Sequence, residues 1–212
     1  MFKTYKATFD NGDADLLWDG RDEYCFEIID HEWKYLFEIM QKTVKKSRNV
    51  IQAGGNCGLY PLRLSQYFEK VFTFEPDPVN FFCLSNNCKN NKIVKFNCAL
   101  GDEYKSVMIG NPQLSNNGMP KILKEDESGH SIYMIALDGL HIKDVDLILL
   151  DIEGYEYNAL LGAKNTLAEN DSVVIIEVTE SEKEIDSFLT SLGYTKAAIL
   201  NGNTNTFAYV KG

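Results

Sequence analysis

The chain has 212 residues, enough for one domain with a substantial core, and its 44% apolar and 12% aromatic content excludes a disordered chain. A formal charge of −10, from 31 acids against 21 bases, repels phosphate backbones and predicts no nucleic-acid partner. No apolar run reaches the ~18 residues that cross a bilayer, so no membrane span is expected.

The first residues, "MFKTYKATFDNGD", lack the basic-then-apolar pattern of a signal peptide. Cys25, Cys57, Cys83, Cys88 and Cys98 form no C-x-x-C pair and no metal-like spacing with histidine. Reduced, buried thiols in a cytoplasmic protein without a metal site are the expectation.

Irregular sequence opens the chain, with strands predicted at Tyr5–Phe9 and Tyr24–Ile28. Asp30 then reads as the N-cap of a helix that places Trp33, Leu36, Phe37, Met40 and Val44 on a core-facing stripe. The basic run from Lys42 to Arg48 complements the dipole at that helix's end. Next come a strand at Asn49–Ala53, a helix at Tyr60–Phe68, a strand at Lys70–Phe74 and a helix from Val79 to Asn90, started by the prolines of "EPDP".

A strand at Ile93–Cys98 follows, and "GDEYKSVMIG" has room for another. Residues Asn111 to Ser131 read as a long polar loop, and "VDLILLD" as a buried central strand. A helix at Glu156–Glu169, the strand "SVVIIEV" and a helix at Glu182–Leu192 lead to a strand pair at Thr195–Leu200 and Thr206–Val210. Strands alternating with helices predict a doubly wound, mostly parallel α/β sheet, closed by an antiparallel C-terminal hairpin. Residues 1–48 are expected to form a cap packed on the same domain as residues 49–212.

The glycine turn Ala53–Gly58, A-G-G-N-C-G, fits neither the dinucleotide fingerprint nor the Walker loop. Gly54 and Gly55 still let the backbone approach a ligand, and Gly58 permits close packing of the next helix. Glu75 ends the following strand, where an acid overlooks the crevice at the strand C-termini and can accept both hydroxyls of a ribose. With no phosphate anchor, a nucleoside lacking pyrophosphate is favoured, and S-adenosylmethionine meets that description.

The block "VIQAGGNCGLYPLRLSQYFEKVFTFEPDPVNFFCLSNN" resembles the opening of the FkbM-type methyltransferases. "FNCAL" at Phe96 to Leu100 resembles that family's third strand end, and "LDGLHIKDVDLILLDIEGYEYNALLGAKNTLAENDSVVIIEV" its second half. The four blocks run in register from Asn49 to Val178. They imply a class I, Rossmann-like, seven-stranded fold that uses S-adenosylmethionine and leaves S-adenosylhomocysteine. The implied reaction is O-methylation of a sugar, glycan or other small-molecule acceptor.

By the same resemblance, Gly54, Gly55, Asn56 and Gly58 floor the cofactor's methionine part and Glu75 holds the ribose. Asn97, Cys98 and Ala99 flank the adenine or ribose, and Asp151 sits beside the methyl sulfonium. Asp151 and Glu153 end a strand in alternation, so both are expected to face the crevice, where two close carboxylates can raise each other's pKa and one can act as a base. Glu177, at the end of the next strand, is the third candidate. Glu156 reads as a first-turn helix acid and His130 as a loop residue on the acceptor side.

Two positions depart from the family pattern. Gln52 stands where relatives carry an acid near the cofactor's amino-acid end, and Leu149 where they often carry lysine. Both fit a second reading, a nucleoside-binding scaffold without catalysis. The lost charge at Gln52 predicts that an acid restored there tightens cofactor binding.

Overall fold

A computed structural model describes residues 2–20, 25–110, 121–123, 129–199 and 205–212. Strands β1 (Lys3–Phe9) and β2 (Gly12–Trp18) form an antiparallel hairpin whose two-residue loop is Asp10–Asn11. Gly12 follows at φ 118, a conformation that favours glycine. The second strand was not expected, although Asn11-Gly12 is a hairpin signal.

Helix α1 runs from Cys25 to Thr43, so no strand occupies Cys25–Ile28; Tyr24 lies outside the described residues. Asp30 is therefore an interior helical residue, not an N-cap, and it forms an ion pair with Arg63. Burial decides this stretch: Phe26 stacks on Tyr5 at 4.7 Å and meets Trp18 edge-on at 5.2 Å. Leu36 and Met40 continue the same buried stripe.

Strand β3 (Asn49–Ala53), helix α2 (Leu59–Tyr67), strand β4 (Lys70–Phe74), helix α3 (Pro78–Asn87) and strand β5 (Ile93–Phe96) follow in alternation. Asp77 caps α3, accepting from the backbone N–H of Val79 and Asn80 at 2.8 and 2.9 Å, with Pro78 at the first helical position. The segment then leaves the main sheet. Strands β6 (Ala99–Leu100), β7 (Lys105–Gly110), β8 (Lys121–Ile122) and β9 (His130–Ile135) build a second sheet in the order β6-β9-β7-β8. The polar loop expected over residues 111–131 thus contains β8 and the start of β9, while residues 111–120 and 124–128 lie outside the described residues.

A 3-10 turn at Leu137–Leu140 leads to β10 (Val145–Leu150), buried at every residue. The helix expected over Glu156–Glu169 is broken into α4 (Glu156–Leu161) and α5 (Lys164–Glu169). The break lies where Gly162 meets the carbonyl of Gly101, which a Cβ would approach to 1.9 Å. Asp138 of the "L-D-x-L" block caps the second piece, accepting from the backbone N–H of Asn165 and Thr166 at 2.9 and 2.8 Å. Strand β11 (Val173–Glu177), helix α6 (Glu182–Ser191), β12 (Tyr194–Ile199) and β13 (Thr206–Lys211) complete the chain.

The main sheet has seven strands in the order β12-β13-β11-β10-β3-β4-β5. β5, β4, β3, β10 and β11 are parallel, whereas β13 runs antiparallel to its neighbours β11 and β12. This is the predicted doubly wound sheet with its antiparallel hairpin. Alternation divides the core between the two faces: Val50, Leu147 and Leu149 pack with α1–α3 and the hairpin, while Ile51, Ile148 and Leu150 pack with α4–α6. Arg48 clamps the start of β10 through three bonds to Asp146, so the basic run does more than end α1.

Candidate active site

The strand order reverses between β3 and β10, and parallel sheets bind ligands in the crevice at the strand C-termini of such a switch point. Gly54 and Gly55 turn over the end of β4, both donating their N–H to the Phe74 carbonyl at 3.0 and 2.9 Å. Gly54 lies at φ 87 against the Asp151 backbone, where a Cβ would fall 1.9 Å from the carbonyl oxygen. Gly58, at φ 98, fits beneath Cys88 and Leu84. Asn56 adopts φ 44, and its side-chain oxygen accepts from the Cys57 N–H at 2.6 Å.

Glu75 is only 4% exposed. Its Oε2 accepts from the Asn56 N–H at 2.7 Å and its Oε1 from the Asp77 N–H at 2.8 Å. Burial pushes this carboxyl up to about 8, although the backbone donors pull the other way. Asn97 is exposed beside it and donates to the carbonyl oxygens of Glu75 and Pro76. Cys98 and Ala99 are buried, 8% and 7% exposed, and β5 has already ended at Phe96.

Gln52 has no exposed surface. Its amide nitrogen donates to the Gly54 carbonyl at 2.9 Å, and its amide oxygen accepts from the Thr73 hydroxyl at 2.5 Å. The side chain braces the turn from below. An aspartate here would leave the Gly54 carbonyl without its donor, so Gln52→Asp is expected to cost about 2 kcal/mol of stability. Denaturant unfolding checks this, and a midpoint equal to that of the parent would contradict it. This expectation replaces the gain in affinity that charge alone predicts. Leu149 is buried beneath the crevice, 3% exposed.

Asp151 follows β10 directly and lines one small pocket with Glu177, at the end of β11. Burial and the neighbouring carboxylates, Glu177 first among them, raise Asp151 well above the usual range. Glu177 is likewise pushed up to about 7, chiefly by burial.

Glu153 lies in a left-handed turn, φ 56, past the end of the strand, and leans toward Lys121 of β8 at 3.6 Å. Strand alternation therefore does not govern it, and Glu177, not Glu153, lines the pocket with Asp151. Glu156 is 1% exposed and accepts from the Gly154 N–H at 2.8 Å, so it caps the turn. His130 begins β9 and is exposed. Among the described residues no cluster of His, Cys, Asp or Glu has metal-site geometry, and no helix is long and apolar enough to cross a membrane.

One contributor escaped the sequence reading. Glu32 of α1 lines a pocket together with Asp151 and Glu177, walled by Leu36, Tyr60, Leu149, Leu150 and Thr206. The free space there is about 30 Å³, room for one water-sized group. Its only signal was the helical register that places Glu32 one turn ahead of Leu36.

The pattern of the methyltransferase FkbM domain matches residues 60–196. The chain belongs to the FkbM methyltransferase family. Methyltransferase 1 of Beauveria bassiana (strain ARSEF 2860) is 23% identical over 172 residues, spanning 68% of this chain and 69% of that protein. The solved FkbM methyltransferase of Methylobacillus flagellatus KT is similar with a TM-score of 0.58 at 20% identity, covering 77% of this chain. This chain spans only 43% of the length of that protein. A Streptococcus mutans protein, solved in complex with SAH, shares the fold with a TM-score of 0.51 at 13% identity, over 84% of this chain and 94% of that one.

The FkbM site carries a pH signature. Glu75, Glu177 and Asp151 all hold their protons more tightly than in the unfolded chain. The native state therefore binds more protons than the unfolded state between pH 4.5, the ordinary glutamate value, and about 8. Stability falls as pH rises through that window. Asp146 has the opposite sign: burial raises it, but the Arg48 bonds outweigh burial and hold it below 3.8, so its contribution is lost in acid. The melting temperature is expected to peak near pH 5 and to fall by about 5 °C toward pH 8. Calorimetric melts at constant ionic strength would show it, and a curve rising across the window would contradict it.

Proposed function

We propose that the chain is an S-adenosylmethionine-dependent methyltransferase acting on a hydroxyl of a sugar, glycan or other small molecule. The observation that carries this reading is the buried Glu75 carboxylate beside the Gly54–Gly55 turn, one strand from the Asp151 and Glu177 carboxyl groups, which line one pocket. Each Glu75 oxygen uses one lone pair on a backbone N–H and keeps capacity for a ligand hydroxyl. Gly54, which is half-buried, brings backbone without a side chain to the edge of the crevice. These features fit a nucleoside without phosphates, and the SAH complex of the Streptococcus mutans neighbour is in keeping with that ligand class.

When bound, the cofactor supplies a methyl group made electrophilic by its sulfonium. Glu75 would hold the ribose hydroxyls, and Asn97 would border the same end. The Asp151–Glu177 pair, in its deprotonated form, would take the acceptor's hydroxyl proton onto a carboxylate oxygen. Methyl transfer gains most from alignment, so the remaining demand on the residues is to hold the acceptor oxygen in line and exclude water. Residues 1–48 and the second sheet would cover the crevice and shape the acceptor side. The acidic balance of the chain favours a neutral or cationic acceptor over a phosphorylated one.

Calorimetric titration with S-adenosylmethionine and S-adenosylhomocysteine tests the cofactor, and incubation with a panel of sugars and hydroxylated small molecules tests the acceptor. Saturable binding of both nucleosides with methyl transfer to oxygen is expected. Failure of both to bind refutes the cofactor reading, and transfer confined to amines refutes O-methylation.

A further inference from the structure

The turn that follows β10 holds a conformation its sequence does not favour. Glu153 lies at φ 56 and Gly154 at φ 95, two left-handed residues in succession. Glycine takes that region freely, and asparagine or aspartate often enough. A glutamate there is strained and stays only where its surroundings fix it. Two anchors do so here. Ile152 packs on the core beneath α4–α6. Glu156, although it opens α4, is buried and turns its carboxyl group back toward the turn instead of out to solvent. One of its oxygens accepts from the Gly154 N–H at 2.8 Å, and the Thr179 hydroxyl donates to the same group, 3.3 Å from either oxygen.

Thr179 stands two residues past Glu177, the last residue of β11. One buried carboxyl group therefore ties the loop leaving β10 to the loop leaving β11. The two loops meet closely, since a Cβ on Gly154 would lie 3.5 Å from the Thr179 hydroxyl oxygen. With Ile152 turned to the core and the Gly154 peptide held, the Glu153 side chain points toward the second sheet. Its carboxylate stands 3.6 Å from the Lys121 ammonium of β8. That separation is longer than a hydrogen bond, so an acceptor and a donor face each other at the crevice with their mutual bond unmade.

We propose that Glu156 is a positioning residue of the acceptor side: it holds the Glu153–Gly154 turn so that Glu153 faces Lys121, and a hydroxyl of the acceptor is received between them. The proposal rests on the methyl-transfer reading above, which supplies a hydroxylated acceptor. A hydroxyl can accept from the ammonium and donate to the carboxylate in one contact, and both bonds are charge-assisted. Glu156 reaches the acceptor only through Glu153. A first-turn acid that served the α4 dipole would need its charge, whereas a holder of the turn needs only the hydrogen bonds. Glutamine keeps those: its amide oxygen accepts from Gly154 and its amide nitrogen donates to the Thr179 oxygen.

The test is a set of double-mutant cycles on the ligand-free protein, read by NMR titration of the Glu153 carboxyl carbon. Loss of the cation in Lys121→Met raises the Glu153 midpoint by about half a pH unit in the parent. The same rise is expected in Glu156→Gln and none in Glu156→Ala. Each variant is read against its own Lys121→Met partner, so the direct effect of removing a charge at position 156 cancels. Thr179→Val cuts only the tie between the loops and is expected to lose part of the rise; it decides if Glu156→Ala does not fold. The kinetic arm uses the sugar methylated fastest in the panel above. Glu156→Ala and Lys121→Met raise its KM about tenfold, the worth of one such bond, while the S-adenosylhomocysteine Kd changes by less than about twofold. Glu156→Gln matches the parent in both. A full Lys121 effect in Glu156→Ala, or in Thr179→Val where the alanine variant does not fold, overturns the positioning role. A fall in kcat at unchanged KM overturns the acceptor role. If the parent methylates no member of the panel, the proposed function fails and the acceptor half falls with it, whereas the NMR cycles still decide whether Glu156 positions Glu153.

Discussion

Gly54→Ala is expected to lose S-adenosylhomocysteine binding and more than about 3 kcal/mol of stability. Two costs coincide at this residue. The backbone sits at φ 87, which strains any residue with a Cβ, and that Cβ would fall 1.9 Å from a carbonyl oxygen of Asp151. The carbonyl cannot swing aside, because Asp151 is tied to the end of the sheet by its N–H bond to the Ala53 carbonyl at 3.2 Å. Gly12→Ala is the control. Its φ of 118 is equally unfavourable, but open space surrounds it, so a cost of only about 1 kcal/mol is expected. Thermal melts of the two variants separate strain from collision, and equal losses would show that collision at Gly54 is relieved.

Glu75→Gln is expected to weaken S-adenosylhomocysteine binding about 100-fold above pH 8, the worth of one or two charge-assisted bonds to hydroxyl groups. The gap should narrow toward pH 6. Burial holds the Glu75 proton up to about 8 in the free protein, so at lower pH the parent is itself neutral and a glutamine differs from it less. An amide cannot accept from both N–H groups as the carboxylate does, since its nitrogen must face Asn56 or Asp77. Some stability is lost too, so affinity is to be compared on folded protein at each pH. A gap that stays constant from pH 6 to pH 9 would contradict the charge-based role.

Legibility followed local punctuation. β3, the glycine turn, α2, β4 and α3 could be read because their boundaries carry local signals: paired glycines and the prolines of "EPDP", of which Pro78 takes the first helical position. β10 and β11 declared themselves by unbroken apolar runs, the mark of strands buried on both faces. The stretch from Cys25 to Ile28 misled because aromatic and β-branched residues suit a strand locally, while the choice was made by Tyr5 and Trp18 packing on Phe26. Asp77, not Asp30, was the capping aspartate, and only the fold distinguishes them. The second sheet was hidden in polar sequence, since β8 is two residues long and, among the described residues, pairs at Ile109 and Gly110 alone.

The site divided in the same manner. Gly54 and Gly58 were visible because their positive φ demands glycine, and Glu75 because it follows a strand beside that turn. The link between Asp151 and Glu177 was not, because it joins neighbouring strands across 26 residues of chain, whereas Glu153 is two residues away and tempted the strand-alternation rule. Glu32 was hidden for a plainer reason: in a helix already explained by its apolar stripe, one more acid on its surface is unremarked.

Asn87, the last residue of α3, behaves like a borrowed piece of β-strand. Its amide accepts from the Leu17 N–H at 2.8 Å and donates to the Leu17 carbonyl at 2.7 Å, closing the edge of β2 as a partner strand would. The same nitrogen also donates to the carbonyl of Cys57, within the glycine turn, at 2.7 Å. One rigid, planar group therefore couples the N-terminal hairpin to the loop on which a nucleoside would rest. A pull on the hairpin, from a fused segment or a bound partner, has a path of three atoms to travel before it reaches the residue next to Gly58.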